Sequence, residues 1–139
     1  MKVGISDYPL AETRSESITG RRGKALSEIT LDAVLAGEVT MDDLAITPDA
    51  LQLQAGVARA AGRPTLALNF ERAAELVDVP QDVIMQIYEL LRPGRAKSKQ
   101  QLTEAAALMR GAYKAERIAR FIEEAAQTYE DRGLFTFRF

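Results

Sequence analysis

Residues 47–77 read TPDALQLQAGVARAAGRPTLALNFERAAELV, and this stretch decides the fold class. The Thr47 hydroxyl can accept a hydrogen bond from a free amide of a helix's first turn, and Pro48 suits the first helical position, where no amide hydrogen is needed. The pattern predicts a helix from Pro48 to about Ala61, stopped at Gly62, where a left-handed conformation ends helices at little cost. Pro64 opens a second helix with Leu66, Phe70, Ala73, Ala74 and Val77 on one face. So short a link makes the pair a helical hairpin.

The same signals continue on both sides. Downstream, Pro80 opens a helix in which Ile84, Ile87, Tyr88 and Leu91 recur at i, i+3, i+4 and i+7, ended by Arg92-Pro93-Gly94. Ser98 with Gln101 forms a capping box for a helix to about Ala112, with Leu102, Ala105, Leu108 and Met109 inward. Ile118, Phe121, Ile122, Ala125, Ala126 and Tyr129 then keep helical spacing up to a stop at Gly133. Upstream, Thr30 caps a short helix over Leu31–Ala36 before Gly37, and Thr40 with Asp43 resembles the capping box of another single turn. Apart from the alternation of Phe135, Phe137 and Phe139 there is no strand pattern. The expected architecture is all-α, a small helical domain of about five main helices.

Residues 1–28 carry Gly4, Pro9, Gly20 and Gly23 among polar residues, with no apolar stripe at either spacing. They read as an extended N-terminal arm, leaving 29–139 as the helical domain. Within the arm, Tyr8, Pro9 and Leu10 form an apolar cluster that a solvated tail has little reason to carry. These three are the candidate partner-binding residues.

Composition narrows the function. The chain has 139 residues, 47% hydrophobic and 27% charged, a balance that supports a packed core. Its 18 basic and 20 acidic residues are interspersed, so no broad positive field favours nucleic acid. No apolar run approaches the roughly 20 residues that span a bilayer, and no apolar segment follows the basic start. There is no Cys, which fits a reducing compartment, and the expected location is cytoplasmic. There is also no His, so Ser-His or Cys-His catalysis and imidazole-ligated metal chemistry are ruled out.

The remaining candidates are weak. Gly20-Arg21-Arg22-Gly23-Lys24 has the flavour of a phosphate loop, yet Ala25 stands where a magnesium-binding hydroxyl belongs, and no strand precedes it. Asp42/Asp43, Glu71/Glu75 and Glu123/Glu124 are paired acids, but Glu71, Glu123 and Glu124 lie beside Arg72 and Arg120 and away from the apolar stripes, as helix-surface ion pairs do. Tyr88 and Tyr129 fall on apolar stripes and read as core aromatics. The basic cluster Arg92, Arg95, Lys97 and Lys99 reads equally as a solvated loop or an anionic-partner surface. No catalytic, cofactor-binding or metal-binding residue is expected. The arm's cluster, the Phe-rich tail and an apolar content beyond the needs of one small core together favour burial against another chain.

The run from Ile29 to Arg95, beginning ITLDAVLAGEVTMDDLAITPDALQLQAG, resembles the small (gamma) subunit of adenosylcobalamin-dependent diol and glycerol dehydratases. SDYPLA at Ser6–Ala11 resembles the start of that family's core sequence, and FIEEAAQTYEDRGL at Phe121–Leu134 its last helix. The resemblance implies a heterohexamer of two large (alpha), two medium (beta) and two small subunits that dehydrates 1,2-propanediol, 1,2-ethanediol or glycerol to an aldehyde. It also implies that the large subunit holds the substrate, that the cobalamin lies between large and medium subunits, and that the small subunit supplies no catalytic residue. Some members carry a longer extension before SDYPLA associated with microcompartment packaging. Here only Met1–Ile5 precede it, so packaging through this subunit is not expected, and packaging through another subunit stays open. The rival readings are a free-standing helical adaptor and an independent enzyme using carboxylates and Lys.

Overall fold

The computed structural model describes residues 2–136. Its helices are α1 (Leu10–Thr13), α2 (Leu31–Leu35), α3 (Met41–Leu44), α4 (Pro48–Ala60), α5 (Pro64–Leu76), α6 (Gln81–Leu91), α7 (Lys99–Tyr113) and α8 (Glu116–Asp131). No strand occurs among the described residues beyond one isolated bridge between Thr19 and Ala25. The all-α expectation holds, with α4–α8 as the five substantial helices. Phe137 and Phe139 lie outside the described residues. The chain divides into two compact units, Met1–Val77 and Asp78–Phe139.

In the first unit α4 and α5 form the expected hairpin. The Thr47 hydroxyl accepts from the Ala50 amide at 3.2 Å, and Gly62 takes φ +72° between the helices. Small side chains set the packing: Ala55, Ala58 and Ala67 form a buried cluster, and Phe70 packs half-buried against it. The buried face of α5 is Ala67, Glu71 and Ala74, with Leu66 exposed. Alanines let the backbones approach, so the inward line falls on the small residues rather than on the largest ones.

Residues 2–28 correct the extended-arm expectation, and no domain break falls at 28. They form single 3₁₀ turns at Ile5–Asp7, Ser15–Ser17 and Leu26–Glu28 together with α1, all within the first unit. A Cβ on Gly56 would lie 2.5 Å from a methyl of Val3, so this segment runs directly over α4. That contact accounts for a glycine inside a helix, where it costs about 1 kcal/mol relative to Ala. Isolated turns carry no periodicity, which is why the pattern missed them.

In the second unit α7 and α8 are joined through Lys114, whose φ is +57°, and buried Ala115. Leu102, Ala105, Ala106 and Met109 pack against Ile118, Ala119, Ile122 and Ala126. Ala106 and Ala119 replace the expected Leu108 and Phe121, which are exposed. The Ser98 hydroxyl caps α7 by accepting from the Gln101 amide, but Gln101 reaches back to the Lys97 amide at 2.7 Å, one residue before the cap. Tyr129 is half-buried, its hydroxyl donating to the Leu91 carbonyl and its ring meeting Phe135 edge-on at 6.3 Å. Tyr88, expected in the core, is exposed on α6.

Candidate partner-binding surface

The first unit's N-terminal segment is organised by Asp7. Its carboxylate accepts from the Gly4 amide at 2.8 Å and from the Arg14 guanidinium at 2.7 Å. These bonds, the Gly4 amide first, hold the Asp7 carboxyl below the ordinary value of 3.8. A fixed turn follows, ending in a cis Tyr8–Pro9 bond. Exposure splits the predicted cluster. Leu10 is only 2% exposed and belongs to this chain's own core, which corrects its reading as a residue offered to a partner. Pro9 is half-buried, and Tyr8 stands 66% exposed.

Tyr8 lines one side of an open groove of about 780 Å³. Ile5, Ile46, Leu66 and Phe70 form much of its apolar wall, and Gln54, Arg63 and the Tyr8 hydroxyl are its polar groups. Further large apolar side chains are exposed in both units, among them Leu31, Leu35 and Met41 in the first and Met85, Tyr88 and Leu108 in the second. Exposed apolar side chains supply no reaction chemistry of their own and are available for association.

The candidate reactive groups are occupied otherwise. Gly20-Arg21-Arg22-Gly23-Lys24 forms a tight turn in which the Gly20 amide donates to the Lys24 carbonyl at 2.9 Å and Gly23 takes φ +83°. The turn presents Arg22 to Asp43 at 3.1 Å. A Cβ on Gly20 would meet the Asp43 carbonyl oxygen at 2.2 Å, so the glycine permits a backbone approach, not a phosphate. The Asp43 side chain is wholly buried, and its Oδ2 also accepts from the Thr40 amide at 2.8 Å, half of the predicted capping box. Sequence reasoning missed this lock, because its partners lie 21 residues apart.

Glu71, expected on a solvated face, is buried and pairs with Arg59 of α4 at 2.7 Å. Glu123 pairs with Arg110 of α7 at 2.7 Å, and the same guanidinium binds Glu116 at 2.7 Å. Hydrogen bonds from Arg110 hold both the Glu123 and Glu116 carboxyls below their ordinary 4.5, and Glu123 and Glu116 in turn raise Arg110. Glu124 is exposed. These are structural ion pairs across helices, and no group of three or more acids placed to hold a metal occurs among the described residues. No described helix is long and apolar enough to cross a membrane.

Comparison with known proteins identifies the family. The dehydratase small subunit family matches residues 3–136. The propanediol dehydratase small subunit of Salmonella typhimurium (strain LT2) is 46% identical over 128 residues, which cover 92% of this chain and 73% of that protein. The propanediol dehydratase small subunit of Citrobacter freundii is 45% identical over 128 residues, covering 92% of this chain and 74% of that protein. A match across nearly the whole chain, over helices that carry no reactive cluster, makes this chain a member of the dehydratase small subunit family.

Proposed function

We propose that this chain is the small, non-catalytic subunit of an adenosylcobalamin-dependent diol dehydratase, which converts propanediol or glycerol to an aldehyde and water. Its role is assembly with the large (alpha) and medium (beta) subunits, two copies of each in a heterohexamer in the bacterial cytoplasm. The observation that carries this reading is the contrast between extensive exposed apolar surface and acids committed to ion pairs with Arg22, Arg59 and Arg110. The family membership supports it.

The residues present do not suit the cofactor. A corrinoid ringed with amides and carrying a nucleotide needs many polar partners, and the groove beside Tyr8 offers Gln54, Arg63 and one hydroxyl. In this reading cobalamin and substrate belong to the other subunits, and the radical chemistry to the cofactor.

Within this reading Tyr8 and Pro9 serve as partner contacts, with Leu10 fixing their position from beneath. The test is reconstitution with separately purified large and medium subunits. The full chain should co-purify with them and restore turnover, should by itself show no adenosylcobalamin binding in calorimetry, and should lose affinity on Tyr8→Ser with unchanged circular dichroism. Turnover of a diol by the isolated chain, or full activity of the other subunits without it, would overturn the proposal.

A further inference from the structure

Helices α2 and α3 are turned the wrong way for a free-standing protein. Leu31, Val34 and Leu35 fall at i, i+3 and i+4, the spacing that ordinarily lines a core, yet Leu31 and Leu35 are 73% and 77% exposed and no residue of α2 is buried. Met41 and Leu44 repeat the pattern on α3, where Met41 is 80% exposed. The helices themselves are well made, with Thr30 accepting from the Ala33 amide at 3.2 Å and Thr40 tied to Asp43. Each helix is thus fixed locally at its start.

Acids outnumber bases around this surface, where Lys24 lines a hollow with Glu28, Asp32 and Glu38 and Arg22 reaches the start of α3. From Ala25 to Ala58 there is no Lys or Arg, while Glu28, Asp32, Glu38, Asp42, Asp43 and Asp49 all fall in that stretch. Asp43 is paired with Arg22, and Glu28, Asp32, Glu38 and Asp42 are exposed on the same segment as the apolar residues. A second copy of this chain would set acid against acid, which disfavours self-association.

We infer that the outward face of α2 and α3 docks a protein surface with an apolar centre and a rim of Lys and Arg. This rests on the assembly reading above and places that surface on a large or medium dehydratase subunit. The apolar side chains supply the desolvated centre, and the acidic rim steers encounter and selects against like-charged partners.

The test compares the full-length chain with Leu31→Gln/Leu35→Gln and with Asp32→Lys/Glu38→Lys, titrated onto the large–medium complex at low and high salt. Gln keeps helix propensity and the replaced side chains are exposed, so the apolar variant should melt with the parent, while Lys at Asp32 reverses a favourable charge in the first turn of α2 and should lower the melting point slightly. The apolar double variant should bind at least about tenfold more weakly at every salt concentration, as loss of central contacts does. The charge variant should associate about tenfold more slowly at low salt, with the difference shrinking at high salt. Parent-like binding by both variants would overturn the inference while leaving the assembly role intact. Failure of the parent chain to bind would overturn both. A parent dimer in sedimentation that dissociates in Leu31→Gln/Leu35→Gln would assign the face to a second copy and overturn the inference alone.

Discussion

Replacing Gly20 with Ala tests the lock between the N-terminal segment and α3. The new methyl would stand 2.2 Å from the Asp43 carbonyl oxygen, a backbone atom that no rotamer change can move aside. Restoring ordinary contact requires the two backbones to part by about 1 Å, and overpacking of this kind costs about 1–3 kcal/mol. The same movement lengthens the 3.1 Å Arg22–Asp43 bond, leaving a buried carboxylate with less of its compensating charge. Arg22 is half-exposed, so the added loss falls well short of the 3–5 kcal/mol typical of breaking a fully buried pair. The expected total is about 2–4 kcal/mol, a fall in melting temperature on the order of 10 °C. Thermal unfolding followed by circular dichroism measures it, with Gly111→Ala as the control. Gly111 lies inside α7 with open space around its missing Cβ, so there the same substitution should stabilise by about 0.5–1 kcal/mol. A Gly20→Ala protein that melts with the parent would refute the close approach and the lock built on it.

Ile122 has no exposed surface, and Ile122→Ala should destabilise the protein by about 2–5 kcal/mol in urea unfolding; a midpoint shift equivalent to under 1 kcal/mol would mean the α7–α8 core collapses around the vacancy. Because Glu116 and Glu123 have folded-state pKa values below 4.5, their contribution is present above about pH 4.5 and is lost as pH falls through the lower folded values. Arg110→Met should therefore narrow the stability difference between pH 7 and pH 3, and equal acid sensitivity in parent and variant would exclude the network as its source. Gln in place of Glu75 or Glu124 should leave turnover of the assembled enzyme within about threefold, whereas a catalytic carboxylate contributes about 100-fold or more. A larger loss in a correctly assembled complex would give these acids a chemical role.

The sequence by itself determined the helices, because the signals that start and stop them act within one turn. Thr47-Pro48, Ser98, Gly62 and Gly133 each specify a terminus through a single hydroxyl, a fixed φ or a left-handed stop. The lack of His and Cys was equally legible, since composition needs no fold to interpret. Only the tertiary structure decided which side of each broad apolar stripe is covered. Alanine-lined seams drew Ala67, Ala106 and Ala119 inward and left Leu66, Leu108 and Phe121 outside. It also decided the state of the acids, because whether Asp43 or Glu71 can be buried depends on a guanidinium delivered from 21 or 12 residues away. The first 28 residues were illegible for the same reason: Leu10, Val3 and Gly20 find their places through contacts with α3 and α4 that no local pattern records. A periodic pattern reports that a helix has an apolar face, and only the surrounding chain determines whether that face is buried within the molecule or, as in α2 and α3, left facing outward.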